Sequence, residues 1–148
     1  MSIERLDHVH IYVKDLDEAK RRFGDLLGVE FCEDITPQDV RSEELDKSAQ
    51  GRGTYATFGI ELLEAPPGSP AARAIEPMEE GLGGVSIKVT DLEDAIAEFQ
   101  AKGMRLVQRT EIGRYRVAWF HPGDVHGVLI ELCEYEAANP LEALRQQK

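Results

Sequence analysis

The chain of 148 residues is short of the features that mark several protein classes. It has two cysteines, Cys32 and Cys133, so no disulfide framework can be laid out and a reducing compartment suits it. No apolar run approaches the ~20 residues that span a bilayer, and the first residues lack a signal-peptide pattern. A cytoplasmic protein with no membrane partner is the expectation. Basic charge is scarce: 17 Lys and Arg against 28 Asp and Glu give a net charge of −11. That balance argues against nucleic-acid binding, which rests on neutralising phosphates. It leaves small-molecule ligands open, because the local charge of a pocket can oppose the global sign. What remains is ordinary for a globular chain, 42% hydrophobic and 30% charged, and its length predicts one domain.

The chain repeats itself. Residues 6–23, "LDHVHIYVKDLDEAKRRF", reappear as "LGGVSIKVTDLEDAIAEF" at 82–99, with eight identities at a shift of 76. In each copy apolar residues alternate first, Val9, Ile11 and Val13 against Val85, Ile87 and Val89, which predicts a strand with one packed face. A helix follows. Asp15 and Asp91 suit N-caps, with an acid three residues on in each case (Glu18, Asp94). Leu16, Ala19, Phe23 and Leu26 recur at helical spacing and are expected to cover the strands, and Gly28 and Gly103 suit helix ends. Further strand-like runs complete each copy, and "GIELLEA" aligns with "LIELCEY" at a shift of 70. The shorter shift implies extra residues in the first copy, for which "TPQDVRSEELDKSAQGRG" is the natural place. Its length also suits a lid.

One βαβββ unit, duplicated, accounts for these patterns and predicts an α+β fold. Module one covers about 4–65, a proline-rich linker 66–81, module two 82–136 and a C-terminal tail 137–148. Strand parity then sorts the residues. Val9, Ile11, Val13, Ile60, Leu62, Val128, Ile130 and Leu132 should pack outward against helices, leaving His8, His10, Tyr12, Glu61, Leu63, Glu131 and Cys133 on the opposite face.

The duplication, opened by "DHVHIYVKDLDEA" and nearly closed by "FHPGDVHGVLIEL", resembles the vicinal oxygen chelate superfamily along nearly the whole chain. Its members include glyoxalase I, methylmalonyl-CoA epimerase, extradiol dioxygenases, and fosfomycin and bleomycin resistance proteins. The C-terminal motif is most similar to that of methylmalonyl-CoA epimerases. The resemblance implies a cupped, barrel-like mixed sheet with helices outside and a divalent ion inside. It also implies a homodimer, since such half-barrels usually bury a face between chains. By motif, His8, Glu61 and Glu131 fall at three of the usual metal-ligand positions, and the fourth is Gly84.

How that gap is filled stays open on sequence alone. His8, Glu61 and Glu131 could hold Mn, Co, Ni, Zn or Mg with open positions left over. His10, about 6.5–7 Å along the same strand face, is a candidate replacement ligand, and His126 a weaker one. Alternatively the cup is a metal-free small-molecule binder of the bleomycin-resistance type. The enzyme reading is an isomerase, epimerase or lyase of the glyoxalase type. It removes a proton beside a carbonyl, with Glu131 as ligand and base and Glu61 facing it. Loss of a histidine at Gly84 counts against ring-cleaving dioxygenase and fosfomycin-type chemistry. His121, in "HPGDVHG", reads as a turn residue. Arg105, Arg109, Arg114 and Arg116 suit either an anionic substrate group or a solvated strand face, and Cys133 a pocket wall.

Overall fold

The structure is a computed structural model and describes residues 2–42, 51–68 and 79–146. The remainder of the predicted lid (43–50) and most of the predicted linker (69–78) lie outside the described residues. The elements run β1 (Ile3–Val13), α1 (Leu16–Leu27), β2 (Arg41–Ser42), β3 (Gly53–Tyr55), β4 (Gly59–Glu64), β5 (Gly81–Val89), α2 (Leu92–Ala101), β6 (Leu106–Ile112), β7 (Tyr115–Phe120), β8 (Leu129–Glu134) and α3 (Pro140–Arg145). All eight strands join one sheet in the order β2-β6-β7-β8-β5-β1-β4-β3.

The sequence repeat is a spatial one. β1 and β5 run antiparallel at the middle of the sheet, with Val9 paired to Val85, its own counterpart in the repeat. Each then pairs in parallel with the last strand of its own module, β1 with β4 and β5 with β8. The helices pack on the outer face as the apolar parity requires. Val13, Leu16, Ala19 and Leu62 form one cluster, and Val89, Leu92, Ala95, Ile96 and Leu132 the heart of the other. Leu62 and Leu132 are both fully buried, each worth ~1.5–3 kcal/mol of transfer free energy.

The caps form as their sequence signals predict. Asp15 and Asp91 accept from the N–H of Glu18 and Asp94, and Gly28 adopts φ 66°. A further joint occurs in both modules. Glu64 accepts from the first helical N–H of α1, that of Leu16, at 2.8 Å, and from Arg52, which also reaches Asp17. Glu134 accepts from the N–H of Leu92, opening α2, at 2.6 Å and from Arg116, which also reaches Glu93. A carboxylate at a helix N-terminus satisfies an orphan N–H and opposes the macrodipole.

Four expectations are corrected. Leu26 does not cover the sheet but is 66% exposed in the last turn of α1. Val128 lies before β8 and is also exposed. In module one the second strand shrinks to two bridges, Phe31 with Ala56 and Ile35 with Gly53, and β2 crosses to pair with β6 of the other module. The C-terminal tail is not a plain extension. Asn139 caps α3, Pro140 opens it, and Leu141 and Ala143 bury themselves with Tyr115, Cys133 and Tyr135.

Candidate metal centre

Four strands of the curled sheet present polar side chains to its inner face. Register decides which. Glu61 of β4 pairs with His10 and with Tyr55 of β3, while Glu131 of β8 pairs with Ser86 and with Trp119 of β7. His8, His10, Glu61 and Glu131 are all buried, and one ligand atom from each lies within 4.8 Å of every other. The His8 Nε2 stands 3.4 Å from Glu61 Oε2 and 3.5 Å from Glu131 Oε1, and the His10 Nε2 3.4 and 3.8 Å from the same two atoms. These separations are too long for good hydrogen bonds.

They suit a shared cation instead. Bonds of about 2.1 Å to a central ion set neighbouring donor atoms roughly 3–3.5 Å apart. Both Nε2 atoms and Glu61 Oε2 are buried without a hydrogen-bond partner, at a depth where such atoms are almost always satisfied. Two imidazoles and two carboxylates form a set that Zn, Mn, Co or Ni accepts readily, whereas Mg prefers oxygen throughout. The residues fit a divalent transition ion.

The gap at Gly84 has a geometric answer. His10 lies directly across from it in the ladder, and His8 across from Ser86. A Cβ built on Gly84 would meet the Leu129 carbonyl oxygen at 2.5 Å, the Leu129 Cβ at 2.9 Å and His10 Nδ1 at 3.3 Å. No side chain fits there, and the imidazole missing from module two is matched by a second one from β1. The neighbouring Gly83 is likewise filled, by the ring of Tyr12.

Charge in the cluster is strongly organised. Burial disfavours an imidazolium at His8, but its hydrogen bond to Asp7 and the nearness of Glu131 and Glu61 hold its pKa well above the ordinary value. Burial would raise the Glu131 pKa, yet His10 and His8 beside it bring it well below the usual carboxylate range. Ser86 Oγ also donates to Glu131 Oε1 at 2.7 Å. Burial, with Glu61 and Glu131 close by, pushes the Tyr55 and Tyr115 phenols up, so both remain protonated donors.

Of the sequence candidates, His8, His10, Glu61 and Glu131 converge. His121 and His126 do not join them. His121 accepts from the N–H of Gly123 in a turn, and His126 is exposed in that turn with φ 57°. The arginines face outward, Arg105 on Asp124 and Arg109 and Arg116 on Glu93. Cys133 sits in the aromatic core rather than on an open wall.

Sequence parity missed several residues. Trp119 stacks on His10 at 5.3 Å, and Tyr55 meets His8 edge-on at 5.2 Å. Neither repeat shift relates the two, and their equivalence appears only in the register, Tyr55 across from Glu61 and Trp119 across from Glu131. Asp7 was missed because alternation puts it on the face opposite His8. A register shift between Leu6 and His8 turns it inward, leaving its side chain 1% exposed.

Comparison with known proteins agrees with this architecture. The uncharacterized protein YqjC of Bacillus subtilis (strain 168) is 25% identical over 135 residues, 89% of this chain and 93% of that protein. The mitochondrial methylmalonyl-CoA epimerase of Bos taurus is 29% identical over 140 residues, 88% and 74% of the two chains. The crystal structure of methylmalonyl-CoA epimerase from Mycobacterium tuberculosis superposes with a TM-score of 0.71 at 27% identity, covering 89% of this chain and 88% of that one. The profile of the glyoxalase/bleomycin resistance protein/dioxygenase superfamily matches residues 7–134. Those residues run from the start of the inward histidines to the end of β8, and with the duplicated cup they show that the chain belongs to that superfamily.

Proposed function

We propose that the protein is a metal-dependent isomerase that epimerises a carbon beside a carbonyl, with a CoA thioester of the methylmalonyl-CoA type as substrate. The observation that carries this is the convergence of two imidazoles and two carboxylates, with both Nε2 atoms and Glu61 Oε2 buried and unpartnered. The similarity to methylmalonyl-CoA epimerases supports the substrate class. His8, His10, Glu61 and Glu131 would hold the ion. A bound divalent cation supplies a Lewis acid that polarises a carbonyl oxygen.

The chain's own groups do the rest. Inverting a carbon through loss and return of a proton calls for a base and an acid on opposite sides. Glu61 and Glu131 come from symmetry-related strands on either side of β1 and β5. Glu61 carries no hydrogen bond on Oε2, whereas Glu131 is tied by Ser86, so Glu61 is the carboxylate freer to exchange between ligand and proton acceptor. The buried Tyr115 hydroxyl, also without a partner, is available to donate to a substrate oxygen. Tyr55 and Trp119 pack against the His8 and His10 rings, which are buried. A metal-free binder would leave both Nε2 atoms and Glu61 Oε2 buried without a hydrogen-bond partner, which weighs against that reading.

The apolar outer face supports a homodimer. Leu6 and Leu82 are 62% and 61% exposed, and Phe58 and Val128, also related by the repeat, are exposed as well. Apolar side chains exposed in both modules are suited to a two-fold contact with a second copy.

The test is exchange. Protein supplied with Mn²⁺, Co²⁺, Ni²⁺ or Zn²⁺ and methylmalonyl-CoA in D₂O should wash out the α-proton, followed by NMR, and Glu61→Gln should stop it. A protein that binds the ion but exchanges nothing would contradict the epimerase assignment.

A further inference from the structure

We propose that Asp7, held in place by Tyr135 and Arg5, is a positioning residue that fixes His8 with its proton on Nδ1 and its Nε2 free for the cation. The inference rests on the metal-centre reading above. It begins with a carboxylate that has no evident reason to be buried. The Asp7 side chain is 1% exposed, and burying a charge is costly unless it is hydrogen-bonded.

Its partners are specific. His8 Nδ1 lies 2.9 Å from Asp7 Oδ2, Tyr135 Oη donates to Oδ1 at 2.6 Å, and Arg5 Nε donates to Oδ1 at 3.1 Å. An ionised carboxylate only accepts, so the His8 nitrogen facing it carries the proton. The other nitrogen is thereby turned toward Glu61 and Glu131. Arg5 and Tyr135 are themselves joined, since Arg5 Nη2 donates to Tyr135 Oη at 2.7 Å and to the Ala138 carbonyl at 3.0 Å. The stretch between β8 and α3 is therefore tied to the ring that would bind the metal.

His10 lacks any such support. Its Nδ1 is buried without a hydrogen-bond partner, and its ring is held by stacking on Trp119. The repeat places Gly83 opposite Asp7 in sequence equivalence, so module two has no counterpart carboxylate. The two imidazoles thus differ in kind: His8 is oriented by a charge-assisted network, His10 by packing. A carboxylate behind a metal-bound histidine sets its tautomer and raises its basicity, and removing it typically weakens metal affinity 10–100-fold.

The experiment compares full-length wild type with Asp7→Ala, Asp7→Asn and Tyr135→Phe by competition with a chelator for Zn²⁺. Expected losses are about 10–100-fold for Asp7→Ala and smaller for the other two. Histidine-labelled, Zn²⁺-loaded protein is then examined by ¹⁵N NMR. His8 should be metallated through Nε2 and show an Nδ1–H protected from exchange, and that protection should fall in Asp7→Ala and in Tyr135→Phe. If Asp7→Ala does not fold, Tyr135→Phe alone decides through the same resonance. Unchanged affinity and unchanged exchange in folded variants, or His8 bound through Nδ1, overturn the proposal while leaving the metal centre standing. Wild type that binds no ion removes both together.

Discussion

The two modules agree in the strands and helix that carry the site and differ in what fills it. Each has a strand ending in a capped helix, a glutamate on that helix N-terminus, an arginine clamping the glutamate, and a second glutamate three residues earlier pointing inward. The inward glutamates, Glu61 and Glu131, keep the repeat. The imidazoles break it, because both come from β1 while β5 offers Gly84 and Ser86 across from them. A duplicated scaffold can therefore carry an asymmetric site without any change of backbone plan. The ladder about Val9 and Val85 sets His10 directly across from Gly84, where no side chain fits.

The comparison can be broken at several points. The largest effect is expected at the symmetric pair. Glu131→Gln or Glu61→Gln should abolish tight metal binding by calorimetry and any proton exchange, with the fold retained in circular dichroism. Next comes the asymmetric position. Gly84→Ala puts a methyl against the Leu129 backbone at 2.5 Å and should cost ~1–3 kcal/mol in denaturant unfolding. Ser86→Gly on the same strand, which leaves room, should mainly loosen Glu131 by removing its hydrogen bond.

pH offers a third lever. In the metal-free protein His8 is raised above its ordinary value of 6.5. Its proton therefore adds stability that is fully present below 6.5 and lost as pH climbs through the folded pKa. A metal must displace that proton, so affinity should rise with pH over the window above 6.5. Titrations across that range check the sign. The smallest effect is expected at the paired joints. Arg52→Met and Arg116→Met remove partly exposed ion pairs and should each cost about 1 kcal/mol or less, similarly in the two modules.

Much of this was legible in the sequence, for identifiable reasons. Alternation in "HVHIYV" and "GIELLE" is enough to place His8, His10 and Glu61 on one face, and the repeat carries Glu131 to the matching strand. The role of His10 was not decidable, because spacing along one strand says nothing about what stands across the ladder. Asp7 was hidden by a bulge that alternation cannot anticipate. The C-terminal helix did carry its own signal, Asn139 before Pro140. A six-residue helix has too little periodicity to announce itself otherwise.

The central claim is that His10 completes the site in place of the imidazole missing at Gly84. A crystal of the protein grown with Co²⁺ or Zn²⁺, measured at that metal's absorption edge, tests it most directly. The anomalous peak should lie among His8 Nε2, His10 Nε2, Glu61 and Glu131. A peak held by His8, Glu61 and Glu131 with His10 turned away, or no peak among these four, would contradict it.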